Sequence, residues 1–411
     1  MSASLRFLQA NVSWLGAGLI LTFASSFGQT FFIALMGGQY RAELGLSHGE
    51  FGGLYMAATL LSAITLIYAG GIADRISARK LGAMVMLGLG GACLFMTQVS
   101  NAVMLFIAIY LLRFMGQGML SHLEVTAIAR WFAATRGKAL AVASWGHPLG
   151  EGFLPATVAL MLTLMDWRSV WMVMAGVLIV VLVPVYLLTL RAERTPQGTE
   201  TAPGLLTGLR GKHWTRPEVL RHGLFWWLIP VLMGSPLIGT AVLFHQAHIA
   251  EIKGWTLAQL TAGFPVYAAM SIGASLIFGA LVDRFTACRI LPLYLVPLGI
   301  GIVTLGLFDG PWVALVALGS IGTTAGAGMA TVGAMWAELY GTRHLGSIRA
   351  LSVAAMVFSS ALGPGLTGIL IDFGVGFEAQ CVVMGLYCLS MSPVIVWLMR
   401  REDAVGAGTA R

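Results

Sequence analysis

Charge is scarce in this chain: Asp, Glu, Lys and Arg together make up 10% of its 411 residues, against roughly 25% in a soluble domain. So few charges cannot cover a surface that faces water. Counting the 52 glycines with the 58% of hydrophobic residues brings the apolar share to about 71%, where a soluble fold has roughly 45 to 50%. That balance excludes soluble enzymes, nucleic-acid-binding modules and disordered chains, and leaves an integral membrane protein. Cysteine is sparse too. Cys93, Cys288, Cys381 and Cys388 are scattered, form no CxxC and have no neighbouring His to complete a metal set, so they read as small apolar packing residues. No metal or cofactor is expected. A G-x-x-x-x-G-K-[ST] loop is also missing, which argues against ATP hydrolysis, and Gly326 with Gly328 in a hydrophobic run is no nucleotide loop.

What the chain has in quantity is long apolar runs. A helix crossing about 30 Å of hydrocarbon needs about 20 such residues, and twelve stretches qualify. Six lie near 12–36, 50–72, 80–99, 102–126, 138–163 and 168–190, and six more near 222–250, 257–282, 289–308, 311–337, 346–371 and 376–399. The first is too long for a signal-peptide core and lacks a small-residue cleavage site, so it reads as mature structure. The expected organisation is a six-helix bundle over 1–190, a polar linker over 191–221, a second bundle over 222–400 and a tail over 401–411. The net charge of +7 is a matter of topology. With the N-terminus inside, 20 of the 24 Lys and Arg fall on the cytoplasmic side, Arg41, Arg168 and Lys253 fall outside, and Arg113 lies within a span. Such a bias orients both termini to the cytoplasm and leaves nucleic acid no role.

The two halves repeat. Gly70, Asp74, Arg75, Arg79 and Lys80 follow the second span, and Gly279, Asp283, Arg284 and Arg289 follow the eighth; Gly146-His147-Pro148 in the fifth is echoed by Gly363-Pro364-Gly365 in the eleventh. Repeated six-helix halves with a substrate near the midplane are a transporter design. On these residues the whole chain resembles the major facilitator superfamily. The loop at Gly70, Asp74, Arg75, Arg79 and Lys80 matches that family's G-x-x-x-D-R-x-x-x-R-[KR] signature. Arg113, Gly116, Gln117 and Gly118 look like its R-x-x-x-G motif. Gly146, Pro148, Gly150 and Gly152 are similar to the Gly/Pro motif of its exporters, with His147 and Glu151 as departures. The stretch from Arg130, Trp131 and Phe132 to Arg136, Gly137, Lys138 and Ala139 looks like the monocarboxylate and oxalate/formate branch, although span eight carries no basic residue, as that branch would require. The resemblance implies an all-α membrane protein, with twelve transmembrane helices in two pseudo-symmetric six-helix bundles and spans one, four, seven and ten lining a cavity.

Arg113 falls about 16 Å into its span at 1.5 Å per residue; a midspan charge is a functional candidate by default. Glu151 and His147, one turn apart, share a face of span five. An Arg113–Glu151 pair would keep the carboxylate ionised until a proton or substrate competes for it. The further substrate or coupling candidates are Ser26 and Gln29, with Ser25 and Thr30, in span one; His245 and Gln246, with His248, in span seven; Tyr267; Thr324, with Thr323 and Thr331, in span ten; and Trp336. The expected gate comprises Gly70, Asp74, Arg75 and Arg79, joined by Glu124 and Arg130, with Asp283 and Arg284 as the second copy. The pairs Gly146/Gly150 and Gly322/Gly326 predict close helix approach.

The expected function is secondary active transport of a small solute, an organic anion, by alternating access with proton coupling. The expected setting is a bacterial-type inner membrane, and the expected state is monomeric. A proton-driven exporter of amphipathic compounds is the alternative transporter. A polytopic membrane enzyme would need an acid/base constellation for which His122 and Glu124 are the only compact candidate, and a sensor would carry a larger soluble domain than 191–221.

Overall fold

The computed structural model describes residues 3–132, 135–192, 194 and 207–408, with the side chains of 3–6, 136, 210 and 401–408 excepted. Part of the expected linker (195–206), the end of the tail (409–411) and the side chains of Arg6, Arg136, Arg210 and Arg401 lie outside this description. The chain forms two compact units, Met1–Thr201 and Ala202–Arg411, and nearly all of what is described is helical.

Eleven described helices are long and apolar enough to cross a membrane. In the first unit they are Phe7–Ala34, His48–Asp74, Ala78–Met96, Ala102–Trp131 and Trp167–Thr189, which are spans one, two, three, four and six. In the second they are Gly223–Phe244, Leu257–Phe285, Ala287–Leu307, Trp312–Tyr340, Leu345–Asp372 and Phe377–Arg400, spans seven to twelve. Span five is divided into Arg136–Ala143 and Gly146–Met161. Pro148 has no N–H to offer the Ser144 carbonyl, and the His147 N–H bonds it instead at 3.1 Å, tightening the turn. Span starts are capped: Ser47 and Glu50 form a reciprocal capping box, and Asn101 and Asp166 accept from backbone amides of the first turns they precede.

Each unit packs its helices in the same order. In the first, span one lies on five, two on four and three on six; in the second, seven lies on eleven, eight on ten and nine on twelve. Glycines permit the crossings. A Cβ on Gly146 would strike the Leu19 carbonyl and Thr22 hydroxyl, and one on Gly363 would strike the Leu237 carbonyl. The sequence echo around Pro148 and Pro364 therefore marks one crossing used twice. Gly322 and Gly326 likewise abut the Tyr267 and Ser271 carbonyls of span eight.

Ion pairs close one end of each unit, opposite the Asp74–Lys80 loop in the first and the Asp283–Arg289 loop in the second. Arg168 forks onto Glu43 at 2.5 and 2.7 Å and donates to the Thr97 and Val99 carbonyls. In the second unit Lys253, whose side chain is only 2% exposed, reaches Asp309 at 2.5 Å and Glu378 at 2.7 Å. Burial alone pulls the Lys253 ammonium down, but the two carboxylates outweigh it and the net shift is upward.

Two predictions follow from this packing. A Cβ on Gly116 would lie 2.7 Å from Gly28 Cα and 3.1 Å from the Ser25 carbonyl, so Gly116→Val costs about 1 to 3 kcal/mol or more by overpacking; a thermal midpoint equal to the parent's would contradict the contact. The Arg168 hydrogen bond holds the Glu43 carboxyl below the usual glutamate value of 4.5. Its contribution is present above that value and is lost as pH falls through the lower folded one. Glu43→Gln therefore flattens the acid limb of midpoint against pH, and parallel curves for parent and variant would count against it.

Candidate functional site

The first span breaks where its polar residues cluster. Ser25 donates to the Thr22 carbonyl at 2.7 Å, competing with the helical ladder. A tight turn follows over Ser26–Gly28, Gln29 is extended at φ −84°, ψ 156°, and the helix resumes at Thr30. The expectation of one continuous helix over 12–36 is corrected accordingly. Gly28 is what the turn requires: a Cβ there would strike the Leu112 carbonyl and come within 2.8 Å of Gly116 Cα.

Against this break lies Arg113, 2% exposed, at the start of a π-helical stretch, Arg113–Leu120, inside span four. Such a bulge widens the helix and often accompanies function. Arg113 Nη1 donates to the Gly28 carbonyl at 3.3 Å and the Thr30 hydroxyl at 3.4 Å, and the guanidinium carbon lies 5.4 Å from the centroid of the Tyr55 ring. Tyr55 and Thr30 share a hydrogen bond of 2.7 Å, while Arg113 Nε has no partner among the described residues. Arg113 forms no ion pair there with Glu151. Its acceptors are neutral, and span one, not span five, supplies them.

Span five comes to the same break. His147 Nδ1 lies 3.2 Å from the Ser25 hydroxyl, and a Cβ on Gly150 would strike the buried Ser26 hydroxyl, which has no partner among the described residues. Glu151 is half-buried one turn beyond His147. Ser25, Ser26, Gln29, Thr30, Arg113 and His147 thus gather within one unit. Tyr55 was missed in the sequence, where a lone tyrosine in an apolar helix carries no signal of its distant partner.

In the second unit the buried Thr324 and Thr331 hydroxyls and the Trp336 indole N–H have no partners among the described residues. The two threonines are seven residues apart, two turns along one helix face. Trp336 stacks on Tyr340 at 5.7 Å and meets the Phe225 ring at a 40° tilt, 5.4 Å away. Tyr267 is 6% exposed, its carbonyl under Gly322. His245 and Gln246, both buried, follow the end of the seventh span, with the His245 ring 5.2 Å from Phe377.

The loop after span two is tied to span four by Arg130, which donates to the Ala73 carbonyl at 2.8 Å and pairs with Asp74. His122 Nε2 is 3.2 Å from the Gly70 carbonyl, and Arg79 Nε donates to the Leu190 carbonyl at 2.9 Å. Arg75 stays exposed. Glu124 stands apart from the charge pair: it is 1% exposed, and its Oε1 has no partner among the described residues. In the second unit Asp283 is exposed and Arg284 lies over the Phe285 ring at 5.1 Å. The carboxylate at work there is Glu338, at the end of span ten, which accepts from the Ala287 and Cys288 amides at 2.7 and 3.0 Å. It braces a turn in which Thr286 has φ 77° and ψ 151°, a conformation strained for any residue but glycine. Among the described residues no group of three or more His, Cys, Asp or Glu gathers to hold a metal.

Comparison with known proteins fits this geometry. A profile described as Major Facilitator Superfamily matches residues 18–285 and 238–410. The chain belongs to that superfamily. It is therefore an integral membrane transporter of small molecules rather than an enzyme, and the two bundles of its fold are the superfamily's. Among solved structures it is similar to a bacterial homolog of the human lysosomal transporter Spinster, inward-facing and unoccupied, with TM-score 0.69 and 15% identity over 96% of this chain and 97% of that one. A D-xylose–proton symporter matches with TM-score 0.68 and 15% identity over 93% and 97%. A nucleoside transporter gives 0.67 and 12% over 94% and 99%. At such identities the likeness is one of fold. No curated protein matches the chain in sequence.

Proposed function

We propose that this transporter is a secondary active carrier of a small organic anion, coupled to protons, working by alternating access in a bacterial-type inner membrane with both termini in the cytoplasm. One observation carries the anion: Arg113 is buried among neutral acceptors, Gly28, Thr30 and Tyr55, with its Nε unmatched by any described residue. A guanidinium paired to a carboxylate would already be neutralised. Held by dipoles and a π face, this one keeps its full charge for an incoming carboxylate or similar group, with which it makes short, strong, forked hydrogen bonds. The cation is costly away from water unless function retains it.

Proton coupling rests on Glu151 and His147, two titratable groups one turn apart on span five, the second touching the broken first span through Ser25. The likeness in fold to a D-xylose–proton symporter supports coupling as something this fold accommodates. Orientation and setting rest on the distribution of Lys and Arg. The protein is taken as monomeric, since each unit buries its own core.

Transport assays in proteoliposomes test both parts. Arg113→Ala lowers uptake or counterflow of the anion by roughly 10- to 100-fold, the worth of a charge-assisted hydrogen bond or two, with the protein still folded and inserted; unchanged transport would remove Arg113 from the substrate site. Glu151→Gln abolishes the response to an imposed pH gradient while sparing exchange, and a variant that still follows the gradient would take Glu151 out of coupling. A thermal-shift screen of small carboxylates, phosphorylated metabolites and lipophilic cations supplies the ligand for these assays.

A further inference from the structure

A cleft of about 600 Å³ opens between spans three and six of the first unit, lined by no described residue of the broken first span. Its rim is basic and its walls are apolar. Arg75, Arg79 and Lys80 supply the charge, and Ile76, Met84 and Leu187 line the sides. Spans three and six are joined beside it: Tyr186 donates to the Ala78 carbonyl at 2.6 Å and covers Gly82, while Arg79 donates to the Leu190 carbonyl. Among the described residues, no acidic side chain lines the cleft. The loop's own carboxylate, Asp74, is taken by Arg130. Arg75 and Lys80 are exposed and form no ion pair with any described residue. Below the basic rim the same two helices carry exposed apolar side chains, Met84 (50%) and Leu87 (46%) on span three and Val185 (42%) and Leu188 (61%) on span six.

From this arrangement we infer that the cleft is a binding site for an anionic phospholipid. Its phosphodiester sits between Arg75 and Lys80 at the end of the spans, and its acyl chains run down the apolar stripe. Charge complementarity selects the headgroup: Arg75 and Lys80, exposed at the rim and facing no carboxylate among the described residues, attract an anionic lipid and give a zwitterionic one little. The apolar walls select a lipid over a free phosphate ion, which would leave Ile76, Met84 and Leu187 uncovered. Membrane insertion needs only the number of basic residues near a span. It does not need them gathered over a groove.

Native mass spectrometry of the full-length protein in detergent, titrated with phosphatidylglycerol or phosphatidylcholine of matched chains, reads the site directly. The parent binds phosphatidylglycerol at least about tenfold more tightly, as two interfacial cations allow. The exposed double substitution Arg75→Gln/Lys80→Gln loses the preference, whereas Arg75→Lys/Lys80→Arg keeps it; an unchanged elution profile and helicity establish that both remain folded. Millimolar inorganic phosphate leaves the lipid adduct in place. Equal binding of the two lipids by the parent, a preference that survives the Gln pair, or full displacement by phosphate would each overturn the lipid site.

Discussion

A guanidinium buried at midspan must find its solvent in the protein, and much of the first unit is arranged around that need. Arg113 takes the Gly28 carbonyl, the Thr30 hydroxyl and the Tyr55 ring in place of water. An intact helix spends its carbonyls on its own ladder. The first span turns tightly at Ser26–Gly28 and passes through an extended Gln29, which aims the backbone at Arg113. That approach is feasible because two glycines, Gly28 and Gly116, meet backbone to backbone. Irregular backbone at membrane depth is tolerated only where protein or a wet cavity surrounds it, and here spans four and five surround it.

The same logic of few charges in fixed places governs the ends of the spans. Of the three basic residues assigned to the sparsely charged side, Arg168 and Lys253 are committed to carboxylates. In the first unit the cation begins span six and the anion precedes span two; in the second the anion begins span twelve and the cation precedes span eight. Each unit thus closes this end with a clamp between corresponding places, with the sign reversed. What is repeated between the halves is the position of the fastening. The residue that performs it has changed, as it has where Glu338 braces, in the second unit, the counterpart of the loop that Arg130 ties in the first.

This substitution of function at corresponding places in the two halves explains what the amino-acid pattern disclosed. The spans were legible because hydrophobic length is local. The helix pairings were legible through Gly146, Gly150, Gly322 and Gly326, since a glycine in an apolar helix has few reasons to be there except close contact. The break at Gln29 was not legible: Ser25, Ser26 and Gly28 are each ordinary in a membrane helix, and only the approach of span four makes their combination a turn. The partners of Arg113 were open for a related reason. Charge suggests charge, so a pair with Glu151 could be posed, whereas a backbone carbonyl and a tyrosine face leave no mark in a sequence. Lys253 was counted for its sign, and its burial between Asp309 and Glu378 depends on three loops far apart in the chain.

The loop after span two shows how one charge pair controls the character of its surroundings. Asp74 lies immediately before Arg75 and a few residues from Lys80, close enough to neutralise the rim of the cleft between spans three and six. Arg130, reaching from span four to Asp74 and the Ala73 carbonyl, draws that carboxylate away and leaves the rim positive. If the pair opens as the transporter cycles, the freed carboxylate turns toward Arg75 and Lys80 and competes with an anionic headgroup for them. A lipid that prefers the unneutralised rim must, by linkage, favour the state in which Asp74 and Arg130 are joined. The family's loop signature then carries two tasks in a handful of residues. Its aspartate fastens the loop to span four, and Arg75 and Lys80, exposed beside that fastening, are left for the inferred lipid headgroup.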